Sequence, residues 1–223
     1  HYLDPYRMNL ANCGLNSKYQ ASLSYRDQWT GIPGRPVTAM ISLSGPIKQL
    51  QGAAGFALSH DQLGLHQSTQ MLVSYNQVFP MEIILLSIGG GVGYEFGNWG
   101  GTAIRTPGGV YDQSGFDHKD PNLIIGSLNS NVISFQPAIY LQSNWFDWGA
   151  DINLPVIQFN QPINSYYKKN YSLRSVFIKE FNVKKFNFYN HLFLISDLVE
   201  LQTELMSRVV YNGNVFGGIN FRG

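Results

Sequence analysis

Cysteine is nearly absent: Cys13 is the single one in 223 residues. A lone thiol excludes an internal disulfide framework and any metal cluster built from cysteines, and reads as an inert, half-buried residue. Charge is scarce as well. Asp, Glu, Lys and Arg make up 13% of the chain, about half of the roughly 25% usual in soluble globular domains. The 15 basic and 14 acidic residues leave a formal charge of +1. Lys168-Lys169 and Lys184-Lys185 stand apart with no basic stripe around them, which excludes nucleic acid as a partner on electrostatic grounds. Long apolar runs are missing too. The longest, Ile83-Ile84-Leu85-Leu86, is broken by Ser87 and then by glycines. No transmembrane helix fits such a chain, but a membrane β-barrel does, because its strands carry only an alternating signal. The chain begins at His1 with neither Met nor a signal peptide, which predicts the mature form of an exported protein.

Aromatic residues, by contrast, are plentiful at 14%, and there are 23 glycines. Many aromatics with little charge argue against disorder and against a highly soluble cytoplasmic protein. Alternation of period two dominates. Tyr19, Ala21, Leu23 and Tyr25 alternate with Gln20, Ser22, Ser24 and Arg26; Val37, Ala39, Ile41 and Leu43 alternate with Thr38, Met40, Ser42 and Ser44. In extended backbone each set lies on one face. The intervening Gly31-Ile32-Pro33-Gly34 makes the pair a hairpin. A third strand starts at Gly52 and runs into His60-Asp61-Gln62-Leu63-Gly64, where Asp and Gly read as a turn. Gln67 to Val78 and the Gly-dense Ile83 to Phe96 follow; several glycines in one strand suit strong curvature or the close approach of another backbone. Residues 97–130 read as one long loop on a barrel. Beyond it come Val132–Leu141, then Trp145–Leu154, where Phe146, Trp148, Ala150, Ile152 and Leu154 alternate with Asp147, Gly149, Asp151 and Asn153. Tyr171–Phe181, His191–Ile195, Val199–Tyr211 and Val215–Arg222 complete the set.

Within 197–210 the two periods compete. Leu192, Ile195, Val199, Gln202, Met206 and Val209 lie at helical spacing, and Ser196-Asp197 resembles a helix cap. Neighbouring strands and the alternation of Leu201, Thr203, Leu205 and Ser207 favour strand. The expectation is an all-β chain: a single domain over 1–223 forming a transmembrane outer-membrane β-barrel of about ten to twelve antiparallel strands, with residues 1–17 as an N-terminal lead-in.

No catalytic constellation emerges. His60, Asp61 and His66 straddle the expected turn and lack a fourth metal ligand. Asp112, Asp117 and Asp120 are not spaced as a calcium loop. Gly89-Gly90-Gly91-Val92-Gly93 lacks the third glycine at dinucleotide spacing and the helix that should follow. No Gly-x-Ser-x-Gly occurs. The sequence therefore implies no catalytic residue, metal or cofactor.

More specific is the order of short motifs. Met8-Asn9-Leu10-Ala11-Asn12-Cys13-Gly14, Tyr25-Arg26-Asp27-Gln28-Trp29-Thr30-Gly31-Ile32, Pro36-Val37-Thr38 and Ser59-His60-Asp61-Gln62-Leu63-Gly64 come in that sequence. They resemble the PorP/SprF family of Bacteroidota outer-membrane proteins. Its members open with Asn-Pro-Ala-x-x-Gly, continue with Tyr-Arg-x-Gln-Trp-x-Gly-Ile and Pro-x-Thr, and carry an Asp-x-x-Gly turn. Gly217-Gly218-Ile219-Asn220-Phe221-Arg222 is similar to the family's later Gly-Gly-x-x-Tyr-Arg. Leu10 stands where the family has proline. The chain stops at Gly223 without a strand ending in an aromatic residue, so either final strands lie outside it or the barrel closes differently.

The resemblance implies a non-enzymatic role in type IX secretion and gliding-associated surface display, either as a barrel partner for secretion or surface anchoring of particular large surface proteins or as a link from the outer membrane to the periplasmic ring of the machine. Its partners would be other components of that machinery, a substrate's sorting domain and outer-membrane lipid. It carries over Arg26, Gln28, Trp29, Gly31, Pro36, Thr38, Asp61 and Gly64 as signature residues. Arg26 and Asp61 either satisfy each other or backbone groups inside the barrel, or contact a partner. A passive pore for small solutes and a soluble β-sandwich binding module are the alternative readings.

Overall fold

The alternation becomes one antiparallel sheet of eleven strands in the computed structural model, which describes residues 4–101, 104–112, 115–120, 123, 127–159 and 171–223. The strands are β1 (Gln20–Asp27), β2 (Val37–Ile47), β3 (Gly52–Leu63), β4 (His66–Pro80) and β5 (Ile84–Gly100), then β8 (Ser127–Ser143), β9 (Asp147–Phe159), β10 (Ser172–Val183), β11 (Phe186–Ser196), β12 (Leu201–Tyr211) and β13 (Val215–Arg222). Short β6 (Val110–Asp112) and β7 (Gly115–Asp117) pair only with each other, between β5 and β8. Every long strand pairs with its neighbour in sequence, and β5 pairs with β8. The strand count falls within the expected range.

The sheet is apolar outside and polar inside. On the outer face Leu23, Val73, Ile88, Phe135 and Leu205 are exposed, while their inward neighbours Ser42, Ser74, Ser87, Ser130, Gln136 and Asp151 are buried. A soluble sandwich places these groups the other way round, so the pattern is that of a membrane-spanning barrel wall. Among the described residues no pairing joins β1 to β13. With eleven alternating strands these two edges run in the same direction, and direct closure would be a parallel pair.

Connections at the two ends differ in length. At one end lie residues 28–36, 64–65 and 197–200, and there too β5 ends and β8 begins, and β9 ends and β10 begins, across the longest stretches of sequence; at the other end 48–51, 81–83, 144–146, 184–185 and 212–214 are all short. Such asymmetry is ordinary for barrels, whose longer loops lie on one side of the membrane.

Three expectations need correction. Asp61 is not in a turn: it lies in β3, paired with Thr38 and Ser68, and the chain reverses only at Gly64-Leu65, where Gly64 takes φ +59. The 97–130 loop is shorter than read. Gly97, Asn98, Trp99 and Gly100 continue β5 opposite Ser130, Asn129, Leu128 and Ser127. Gly and Asn look like loop formers, yet here Asn98 donates to Asn129 at 2.6 Å, and a Cβ on Gly97 would come within 2.8 Å of the Ser130 hydroxyl. Third, 1–17 is more than a lead-in, as described below for its residues from Asp4 onward. Residues 197–210 do contain the expected strand. Their cap-like signal belongs to the preceding hairpin turn, where the Asp197 carboxylate accepts from Val199 N at 3.0 Å and Glu200 N at 2.8 Å. These are the same side-chain-to-backbone bonds that cap a helix.

Candidate functional site

Among the described residues, one buried apolar cluster lies within the curl of the sheet, and the N-terminal segment makes about half of it. A one-turn helix α1 (Pro5–Met8) and a 3₁₀ turn (Leu10–Asn12) insert Tyr6, Met8, Leu10, Ala11 and Cys13 against Ala53, Ala57, Ala138, Tyr140, Val176 and Ile178 of the inner wall. The segment is a plug. Small inward residues make the room it needs: a Cβ on Gly55 would strike the Tyr6 ring, and one on Gly91 would come within 3.0 Å of Leu10. The expected close approach to a Gly-dense strand is thus this contact, and Gly89 to Gly93 serve packing in β5.

Buried polar groups hold the plug in register with the wall, as an inserted backbone requires. Asn9 accepts from Ala11 N at 2.9 Å and donates to Asp151 at 3.4 Å. Asp151 also accepts from Gln136 at 2.8 Å and from the Arg174 Nε at 2.8 Å, with Arg174 Nη2 equally close. Arg174 Nη1 reaches the Arg7 carbonyl at 3.5 Å. Asn76 donates to the Ala11 and Cys13 carbonyls and to Ser87. Ser74 donates to the Tyr6 hydroxyl at 3.0 Å, Ser42 donates to Asp4, and the Cys13 thiol donates to the Ala54 carbonyl. Burial pushes the Cys13 thiol up to about 11 and the Tyr6 phenol up to about 12. Burial also lowers Arg7, opposed by Asp4 and Asp61 and reinforced by Arg174. Leu10, in place of the family's proline, keeps a backbone N–H and fills the space above Gly91.

The signature residues divide into two groups. Arg26, Thr38 and Asp61 lie side by side across β1, β2 and β3 on the inner face. Thr38 donates to Asp61 at 2.6 Å, and no ion pair joins Arg26 to Asp61 among the described residues. All three line a cavity of about 860 Å³ together with Asp4, Arg7, Arg208 and Phe216, at the gap between the β1 and β13 edges. Gln28, Trp29, Gly31, Pro36 and Gly64 instead shape the rim at the long-loop end. Gln28 N donates to the Pro36 carbonyl at 3.0 Å, and Gly64 N to the Gly34 carbonyl at 2.9 Å, so the first loop is tied to the β3–β4 turn. Trp29 and Gly31 take φ +57 and +98. Trp29 is 66% exposed on this rim beside Ile32, and Arg35 pairs with Asp27 at 2.7 Å.

His60 bonds Thr69, and His66 packs against Trp99 with the rings tilted and their centroids 4.4 Å apart. Asp117 accepts from Lys119 N. Sequence reasoning passed over Asp4, Arg7, Asn9, Gln136, Asp151 and Arg174. One signal was available: Asp151 and Arg174 are charges within strands whose other faces are apolar, and such charges are costly without partners.

The model of a family described as type IX secretion system membrane protein PorP/SprF matches residues 2–222. Neither the curated proteins nor the solved structures contain a match.

Proposed function

This chain belongs to the PorP/SprF family of type IX secretion system membrane proteins, and from that premise we propose that it is a non-enzymatic outer-membrane barrel that helps secrete or anchor particular large surface proteins. It engages a substrate's sorting domain, or another component of the machinery, at its long-loop rim. The observation that carries this reading is the gathering of Gln28, Trp29, Gly31, Pro36 and Gly64 on one rim, with Trp29 and Ile32 exposed there. Exposed aromatics on a braced loop suit protein contact. The apolar outer wall supports placement in the outer membrane, since helix-poor β-barrels occur there.

A passive solute pore is the weaker reading, because Tyr6, Leu10 and Ala11 occupy the lumen that solute would cross. Deleting the gene and measuring both surface display of large secreted proteins and uptake of small solutes tests the choice. Display should fall while uptake stays unchanged; intact display with lost uptake would overturn the secretion role.

A further inference from the structure

Alternation fixes which way the side chains of β10, β11 and β12 point. Val176, Ile178 and His191 are buried on the inner wall, so their neighbours Lys179 and Asn190, with Ser207 paired to Asn190, face outward beside Phe177, Leu192 and Leu205. The register sets the three polar residues in one row across an otherwise apolar wall: Lys179 opposite Asn190, and Asn190 opposite Ser207. Aromatic rings frame this row. Phe177 and Phe181 flank Lys179 along β10, and Phe181 stacks on Phe188 of β11 with centroids 4.8 Å apart.

The row offers donors and lacks an acceptor. The Ser207 hydroxyl donates to Asn190 Oδ1 at 2.8 Å, which commits that oxygen to the β12 side. Neither Asn190 Nδ2 nor the Lys179 ammonium makes a hydrogen bond or ion pair among the described residues. No carboxylate answers them on the outer face of β9 to β13 among the described residues, because Asp147, Asp151, Glu180 and Glu204 all stand at inward positions. Facing lipid, an ammonium and an amide without an acceptor are costly. Lys179 lies four residues before the end of β10 at Val183, about 10 Å from the turn for a strand tilted by roughly 35–45°. A lysine at that depth reaches toward the membrane surface with its stem along apolar groups. The turn itself consists of Lys184 and Lys185, so the pair that stands isolated in the sequence extends the same cationic site.

What satisfies such a row must be anionic, rich in acceptor oxygens and held at the membrane surface. Lipid phosphates meet all three conditions. Short turns mark the periplasmic side of membrane barrels, which selects the leaflet. We infer that Lys179 and Asn190 Nδ2 bind the phosphodiester of a phospholipid in the leaflet at the short-turn end, with Lys184 and Lys185 adding attraction at the turn and Phe181 and Phe188 lying against the acyl chains. The site rests on the membrane reading of the outer wall and is independent of the secretion role.

The test uses the purified full chain in detergent micelles with three probes: dioleoylphosphatidylglycerol, dioleoylglycerol with the same chains and no phosphate, and inorganic phosphate. Native mass spectrometry should show phosphatidylglycerol retained at least about tenfold more tightly than the diacylglycerol, as gain of a charge-assisted contact gives. Inorganic phosphate should not compete at comparable concentration. Lys179→Gln should weaken retention about tenfold with heat-modifiable migration unchanged, while Lys48→Gln, which removes a cation from another turn at the same end, should leave it at the wild-type level. Should Lys179→Gln misassemble, Asn190→Leu provides the second reading and should weaken phosphatidylglycerol without changing the diacylglycerol. Equal retention of the two lipids, as an apolar wall alone would give, overturns the proposal. Competition by free phosphate, or an equal loss from Lys48→Gln, overturns it as well. Extraction of native envelopes is read separately: recovery without detergent removes the membrane wall and the site together, whereas detergent-dependent extraction with no preference for the phospholipid removes the site alone.

Discussion

Cys13 lies at the far end of the plug, its thiol donating to the Ala54 carbonyl and 1% exposed. Its ordinary value of 9.0 rises to about 11, so the folded chain holds the proton more tightly than the unfolded one. The stability this contributes is full below pH 9 and is lost as pH climbs through about 11. Two outcomes follow. A maleimide should fail to label the intact protein near neutral pH and label it fully once urea has unfolded it. The urea midpoint should fall between about pH 8 and about pH 10 in the wild type, with Tyr6 adding a similar fall at higher pH. A Cys13→Ala variant should show the smaller fall over the first interval. Asp151 makes a related point about partners. Gln136, Arg174 and Asn9 all donate to one buried carboxylate, so its place depends on groups from the two flanking strands and the plug together, and removal of any one leaves the carboxylate short of a donor.

Elements were legible in proportion to how local their causes are. The alternation of Leu23, Ile41, Val73 and Ile152 against serines, glycines and asparagines is a property of each strand by itself, and every one of these strands is present. The ends were less legible, because Gly97 and Asn98 carry turn-forming side chains whose role in pairing depends on Ser130 and Asn129 across the ladder. The plug was not legible as a plug. Tyr6, Met8 and Leu10 recur every second residue as they would in a strand, yet they form a helix turn and a 3₁₀ turn, because the space they fill is shaped by glycines and alanines of distant strands. Gly55 is the sharpest case. Gly55→Val should push the Tyr6 ring out of its seat and destabilise the barrel by about 1–3 kcal/mol, as overpacking does. The shift should appear in the urea midpoint, accompanied by a rise in Cys13 labelling. An unchanged midpoint with Cys13 still protected would show that the plug does not depend on this seat.

For the whole molecule, the plug divides a hollow wall from a passage. In planar bilayers the intact chain should show little ion conductance, while a variant lacking residues 4–13 should conduct, the inner wall being lined by serines, asparagines and glutamine. Equal conductance of the two would mean that the segment does not seal the lumen. The apolar outer face predicts that the protein leaves native envelopes only with detergent; recovery in the aqueous fraction would contradict a membrane wall.

The plug also orders events in time. It precedes every strand of the sheet in the chain, yet Asn9 meets its partner 142 positions later at Asp151, and the Arg7 carbonyl meets Arg174 after 167. Contacts of such sequence separation form late, since the intervening chain must first be brought into place. Until β9 and β10 have joined the sheet, Tyr6, Leu10 and Cys13 therefore have only part of their enclosure, and the segment that precedes all the strands is among the last parts to be locked. The segment reports on completion: a wall that stalls at β8 lacks Asp151 and Arg174, and leaves Asn9 and the Arg7 carbonyl without the groups that hold them.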